Sequence, residues 1–169
     1  MTTIIAMNTA YDQALYADSL GHSGGIATPE CRKLLSLPGC IMGGCGLAYV
    51  QCMVYAKLIQ YRRTADLTPI FTYTHLLEPL TLKSDDTKDF ELLLLFDGKI
   101  WAMYEECVPV HLPDCYTARG SGAHFAIGAL DAGATPWEAL TIASQRDIGT
   151  GGPFFRMDMT GKMDQLVEE

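Results

Sequence analysis

The stretch Phe90-Glu91-Leu92-Leu93-Leu94-Leu95-Phe96-Asp97-Gly98-Lys99-Ile100-Trp101-Ala102-Met103-Tyr104 reads as two strands joined by a tight turn, because Asp97-Gly98 supplies the positive-φ positions such a turn requires. Outward toward the C-terminus, Pro109 and Pro113 mark a connection. A small-residue helix from Ser121 to about Ala132 follows, then a second helix from Pro136 to Arg146, where proline suits a first helical position. Gly149 to Pro153 is a turn, and Phe154–Met159 with Met163–Val167 form a last hairpin. Toward the N-terminus, Thr2–Ile5, a turn near Asn8 and Ala14–Asp18 form another hairpin. Gly21–Gly25 reads as a loop, and short strands at Arg32–Leu35 and Cys40–Met42 lead to glycines 43, 44 and 46. Leu47–Tyr61 reads as a helix apolar on most sides, a second helix lies between Pro69 and Pro79, and Lys83–Asp89 is a solvated charged loop. The order strands, helices, strands, helices, strands lacks strand–helix–strand alternation. That order predicts an α+β fold with antiparallel sheets, two helices per block covering the outer faces of two stacked sheets.

The 169 residues carry 12 Lys and Arg against 20 Asp and Glu, a formal net charge of −8, and 49% of side chains are hydrophobic. This length buries roughly 70% of the unfolded surface without disulfide staples, so one domain is expected over residues 1–169. The acidic balance argues against a nucleic-acid partner, since phosphate affinity comes from Lys and Arg displacing counterions. The uncharged run from Leu34 is punctuated by Pro38 and glycines 39, 43, 44 and 46, unlike a membrane span, so no membrane partner is expected. No basic, apolar leader opens the chain, and the expected compartment is the cytoplasm. Six cysteines (31, 40, 45, 52, 107, 115) form no Cys-x-x-Cys pair and read as buried free thiols.

Gly120-Ser121-Gly122-Ala123-His124 lacks the third glycine of a dinucleotide fingerprint, and no phosphate-binding loop ends in Lys-Ser or Lys-Thr. Histidines 22, 75, 111 and 124 have no zinc-ligand spacing, and Gly-x-Ser-x-Gly is absent. No cofactor and no metal are expected. The remaining candidate is the N-terminus. Removal of Met1 would expose Thr2, joining a hydroxyl nucleophile and an amine base of unperturbed pKa about 7.7–8.0 on one residue. A lysine beside that amine would keep it neutral and an aspartate would fix the lysine, roles open to Lys33 and Asp18 on adjacent strands. Chemistry alone also allows Thr2 to be an ordinary strand residue and Asp18–Lys33 a structural ion pair.

Thr2-Thr3-Ile4-Ile5-Ala6, Ala17-Asp18, Lys33, Gly120-Ser121-Gly122 and Arg146-Asp147-Ile148-Gly149-Thr150-Gly151-Gly152, in this order, resemble the proteasome β-subunit and HslV peptidase family of N-terminal-nucleophile hydrolases. The resemblance runs from Thr2 to about Pro153. It implies a four-layer α-β-β-α sandwich with two stacked antiparallel sheets and the threonine at the mouth of the cleft between them. It also implies a threonine-type peptidase acting on peptide or unfolded protein inside a self-assembled homo-oligomeric ring, and it admits an ATP-dependent unfoldase as a further partner. Carried over, Thr2 is nucleophile and base, Lys33 the tuning charge and Asp18 its anchor. Ser121 and Asp147 steady the proton transfer, with Thr150 in place of the family serine. Backbone N–H groups of a Gly43-Gly44-Cys45-Gly46 turn form the oxyanion hole. Ser121 is alternatively a helix N-cap, Asp147 a helix end and Thr150 part of a plain turn. If Met1 is retained, the alternative is a catalytically silent structural or assembly protein of the same fold.

Overall fold

A computed structural model of the chain describes residues 2–23, 26–28, 32–46, 90–104 and 109–167, with Cys52, Tyr55, Ala56 and Ile59. The strands are β1 (Ile4–Asn8), β2 (Gln13–Ala17), β3 (Gly21–Ser23), β4 (Ile26–Thr28), β5 (Leu34–Leu37), β6 (Cys40–Cys45), β7 (Glu91–Phe96), β8 (Lys99–Met103), β9 (Pro109–Leu112), β10 (Tyr116–Arg119), β11 (Phe154–Asp158) and β12 (Met163–Leu166). The helices are α1 (Ala123–Asp131) and α2 (Pro136–Arg146). Two five-stranded sheets result, ordered β10-β1-β2-β11-β12 and β5-β6-β7-β8-β9, with β3-β4 as a separate ribbon. Every described pairing is antiparallel.

The β7–β8 hairpin turns at Asp97 and Gly98, with φ of 51° and 62°, as its Asp-Gly pair requires. Leu92 through Leu95 are all buried, so both faces of β7 are covered. Alternation sends Leu93 and Leu95 into the core between the sheets, with Ile4, Ala6, Leu15, Leu34 and Ile41. On the far face of the first sheet, Ile5, Tyr16 and Ala118 meet Ala126, Leu130, Ala139, Leu140 and Ala143 of α1 and α2. Those small helix residues let the helices lie close to the sheet. Cys52, Tyr55, Ala56 and Ile59 are helical, and the Tyr55 hydroxyl donates to the Ser36 carbonyl of β5 at 3.1 Å, so helix also packs beside the second sheet. The rest of the expected 47–61 helix, the expected helix between Pro69 and Pro79 and the charged loop 83–89 lie outside the described residues.

Several local expectations change. The Pro109–Pro113 connection is strand β9, with Pro109 at a strand's first residue, where a missing N–H costs least. Tyr116–Arg119, for which the sequence predicted no element, is β10 and pairs with β1. Gly21–Gly25 holds strand β3. Of the thiols, Cys40 and Cys45 are buried, whereas Cys52 and Cys115 are exposed. α2 begins at Pro136 with a capping box, in which the Thr135 hydroxyl accepts from the Glu138 N–H at 3.3 Å and the Glu138 carboxylate accepts from the Thr135 N–H at 2.7 Å.

Candidate active site

β10 pairs with β1 so that Ile4 faces Arg119, and the same antiparallel count brings Thr2 opposite Ser121. The Thr2 N–H donates to Ser121 Oγ at 3.2 Å, and the Ser121 hydroxyl donates to Asp147 Oδ2 at 2.6 Å. A second relay ends on the same oxygen: the Thr150 hydroxyl donates to Asp147 Oδ2 at 2.6 Å and lies 2.6 Å from Thr3 Oγ1. An ionised carboxylate only accepts, so Thr150 has no proton left for Thr3, and Thr3 must be the donor between them. Partial burial opposes ionisation of Asp147, but hydrogen bonds from Ser121, Thr150 and the Gly149 N–H outweigh it and hold the carboxyl below its ordinary value. α1 takes Gly122 as its N-cap, with no side-chain cap bond, so Ser121 serves this relay and not the helix end. Asp147 is both the residue that ends α2 and the acceptor of the relay.

Asp18, 1% exposed at the end of β2, is the second hub. Its Oδ1 accepts from the Thr3 N–H at 2.9 Å and from Lys33 Nζ at 2.7 Å. Its Oδ2 accepts from the N–H groups of Leu20 at 3.2 Å and Gly151 at 3.1 Å. Lys33, 7% exposed, also donates to the Leu20 carbonyl at 2.7 Å. One carboxylate oxygen thus joins the ammonium to the peptide following Thr2. A cavity of about 260 Å³ beside β2, β5 and the β11–β12 hairpin has Asp18 and Lys33 in its wall, so the buried pair borders space for water. Thr2, Asp18, Lys33, Ser121, Asp147 and Thr150 therefore stand in one hydrogen-bonded network, together with Thr3 and Leu20, which the sequence did not single out.

Two glycines make the approach possible. Gly120 has φ of 98°, and a Cβ there would overlap the Thr2 carbonyl. At Gly122 a Cβ would collide with the hydroxyls of Thr3 and Thr150. Gly-Ser-Gly is therefore required by crowding against β1.

The Gly43-Gly44-Cys45-Gly46 segment is not a turn. Gly43, Gly44 and Cys45 end strand β6 and pair with β7, and the Gly44 N–H is committed to the Lys33 carbonyl at 3.1 Å. A Cβ on Gly43 would lie 2.8 Å from Ile4 Cγ2, so that glycine serves sheet-to-sheet packing. Only Gly46, with φ of 92°, leaves the strand. Burial, reinforced by the neighbouring Glu91 carboxylate, pushes the Cys45 thiol up to about 12, so it stays protonated at neutral pH.

No protein-family model and no curated protein matches the chain. Solved structures do. Anbu (ancestral beta-subunit) from Yersinia bercovieri aligns at a TM-score of 0.76 and 15% identity over 99% of this chain and 88% of that one. Eukaryotic HslV from Trypanosoma brucei aligns at 0.72 and 15%, over 98% and 100%. Thiobacillus denitrificans BPH aligns at 0.69 and 18%, over 100% of both, and has also been solved in complex with epoxomicin. The fold is the N-terminal-nucleophile hydrolase sandwich. On that sandwich the network lies where β1 begins, and the three neighbours share the architecture at identities that speak for the fold alone. Among the described residues, no group of His, Cys, Asp and Glu is arranged to hold a metal ion, and no helix is long and apolar enough to cross a membrane.

Proposed function

We propose that the chain is a threonine-type peptidase whose nucleophile is Thr2 after removal of Met1, working inside a homo-oligomeric ring on peptide or unfolded protein. The observation that carries this reading is the relay from the Thr2 nitrogen through Ser121 to Asp147, beside the buried Asp18–Lys33 pair. While a methionine precedes Thr2, its nitrogen is an amide without a basic lone pair. Once freed, the amine donates one N–H to Ser121 and turns its lone pair to its own Oγ. Lys33 disfavours a second cation nearby and keeps the amine neutral. The hydroxyl proton passes to the amine as Oγ bonds to the substrate carbonyl carbon. Collapse breaks the C–N bond, the ammonium returns its proton to the leaving amine, and water, deprotonated by the same amine, cleaves the ester.

The Gly44 N–H points to Lys33, and alternation aims the Gly46 N–H the same way, past the start of β5, as the oxyanion donor. With a net charge of −8, like subunits repel, so apolar contact has to close the ring. The test uses the mature protein and epoxomicin, the compound bound by the BPH neighbour. Intact mass should show loss of Met1 and one added epoxomicin per chain, absent from Thr2→Ala. Quantitative retention of Met1, or equal labelling of Thr2→Ala, overturns the peptidase and leaves the silent structural protein. Light scattering should report a mass many times 18.5 kDa, and a monomer refutes the ring.

A further inference from the structure

Arg119 stands out in this acidic chain. Paired in register with Ile4, which enters the core between the sheets, it occupies the cleft face of β10, the face to which alternation also assigns Thr2. One strand over and two residues along, the Arg119 Cα is about 8 Å from that of Thr2 by ordinary sheet spacings. The half-buried guanidinium is held by neutral groups. Nη1 donates to Thr117 Oγ1 at 3.0 Å and to the Ala118 carbonyl at 2.7 Å. Nη2 donates to the Tyr104 hydroxyl at 2.9 Å, and the cation lies 5.7 Å from the Tyr104 ring centroid. No described carboxylate forms an ion pair with it. Glu91, at the same end of the second sheet, has its Oε2 3.6 Å from Cys45 Sγ. Of five guanidinium donors, three are used, leaving the Nε–H and one Nη2–H without a described partner.

A positioned cation with neutral supports and two spare donors is a receptor for a carboxylate, which accepts such a pair in a fork. The side of the scissile bond follows from the chemistry. The leaving amine takes its proton from the Thr2 nitrogen, which contacts Ser121, and Arg119 lies on the strand that delivers Ser121. We propose that Arg119 is a specificity residue that recognises a carboxylate on the leaving-group side of the scissile bond, either an acidic side chain or the free C-terminus of a short peptide. The inference deepens the peptidase reading and rests on it for the substrate's orientation.

The test separates the two. In the mature protein, peptides differing only by Glu or Gln on the leaving-group side, and short peptides with free or amidated C-termini, are compared by kcat/KM. The acid in one of these pairs should be favoured about tenfold or more, and the pair that responds identifies the source. Arg119→Met should bring the ratio to about one, and Arg119→Lys should retain part of the preference. The same pairs are bound to Thr2→Ala by fluorescence anisotropy, a readout independent of turnover. In the unaltered chain alone, added salt should shrink the preference. Lack of acid preference in both turnover and binding, or a preference unchanged in Arg119→Met, overturns the inference. Acid-selective binding to Thr2→Ala without any epoxomicin labelling of the parent chain keeps the carboxylate site and removes the peptidase.

Discussion

Replacing Asp18 by asparagine tests the hub at which fold and site meet. The carboxylate accepts four hydrogen bonds, from Thr3 and Lys33 on one oxygen and from Leu20 and Gly151 on the other. An amide of the same shape has one accepting oxygen, so whichever way it turns, its NH2 group meets donors. The substitution also removes the charge that pairs with the Lys33 ammonium at 2.7 Å, itself 7% exposed. Removing one member of a buried pair costs about 3–5 kcal/mol, a large part of the roughly 5–15 kcal/mol that holds a domain folded. With a urea slope of about 2 kcal/mol/M, the unfolding midpoint should fall by about 1.5–2.5 M at unchanged slope, followed by far-UV circular dichroism at fixed protein concentration. Lys33→Met removes the other half of the pair, so the double variant should be more stable than additivity allows, by about 1–3 kcal/mol. A loss below about 1 kcal/mol for Asp18→Asn, or additivity within about 0.5 kcal/mol, would refute the buried pair as the organising contact.

Gly120→Ala should lose about 2 kcal/mol or more and its epoxomicin labelling, because positive φ and the Thr2 carbonyl both exclude a Cβ; Gly98→Ala, with positive φ but open space, should lose about 1 kcal/mol and keep labelling. If both variants lose stability equally and both keep labelling, crowding at Thr2 is not why Gly120 is glycine. Burial and the hydrogen bond to Asp12 raise the Tyr16 phenol to about 12. A group raised in the folded state stabilises below its unfolded value of about 10, and that contribution fades as pH rises toward 12. Ultraviolet titration should show a late phenolate that is absent from Tyr16→Phe, and no change on that substitution would contradict the burial. Thr135→Ala removes the capping box of α2 and should cost about 1 kcal/mol in thermal or urea unfolding. Labelling at Thr2 should be unchanged there, since Thr135 is outside the network; a parallel loss would mean that α2 positions the site through its first turn.

The elements legible from the sequence were those whose signal is local. Asp97-Gly98 announces its turn and Pro136 its helix start, and the β-branched run Thr2–Ile5 gives the start of β1, which begins at Ile4 and continues to Asn8. β10 was hidden because Tyr116–Arg119 is short, follows Pro113 and contains an arginine; what makes it a strand is its pairing with β1, more than a hundred residues away. The Thr3–Thr150 contact is invisible for the same reason, since two ordinary hydroxyls meet only after the sheet has formed. Gly43 and Gly44 misled in the opposite sense. Paired glycines read as a turn, whereas Gly43 makes room for Ile4 across the sandwich. Arg119 stands immediately before Gly120-Ser121-Gly122 in the sequence, but its direction follows only from the register with Ile4.

That register also decides between the two threonines. Side chains alternate along β1: Ile4 enters the core between the sheets and Ile5 the core under the helices. Thr2 therefore belongs to the cleft side and Thr3 to the helix side, where its hydroxyl is already given to Thr150. Trimming after Met1 presents a cleft-facing threonine whose nitrogen is seated on Ser121. Trimming one residue further would expose Thr3, whose nitrogen is held by Asp18 and whose hydroxyl points away from the cleft. The doubled threonine is not redundancy. On the proposed mechanism the first residue reacts, while the second locks β1 to both acidic hubs, so the contacts that hold the strand in register are the same ones that aim its end.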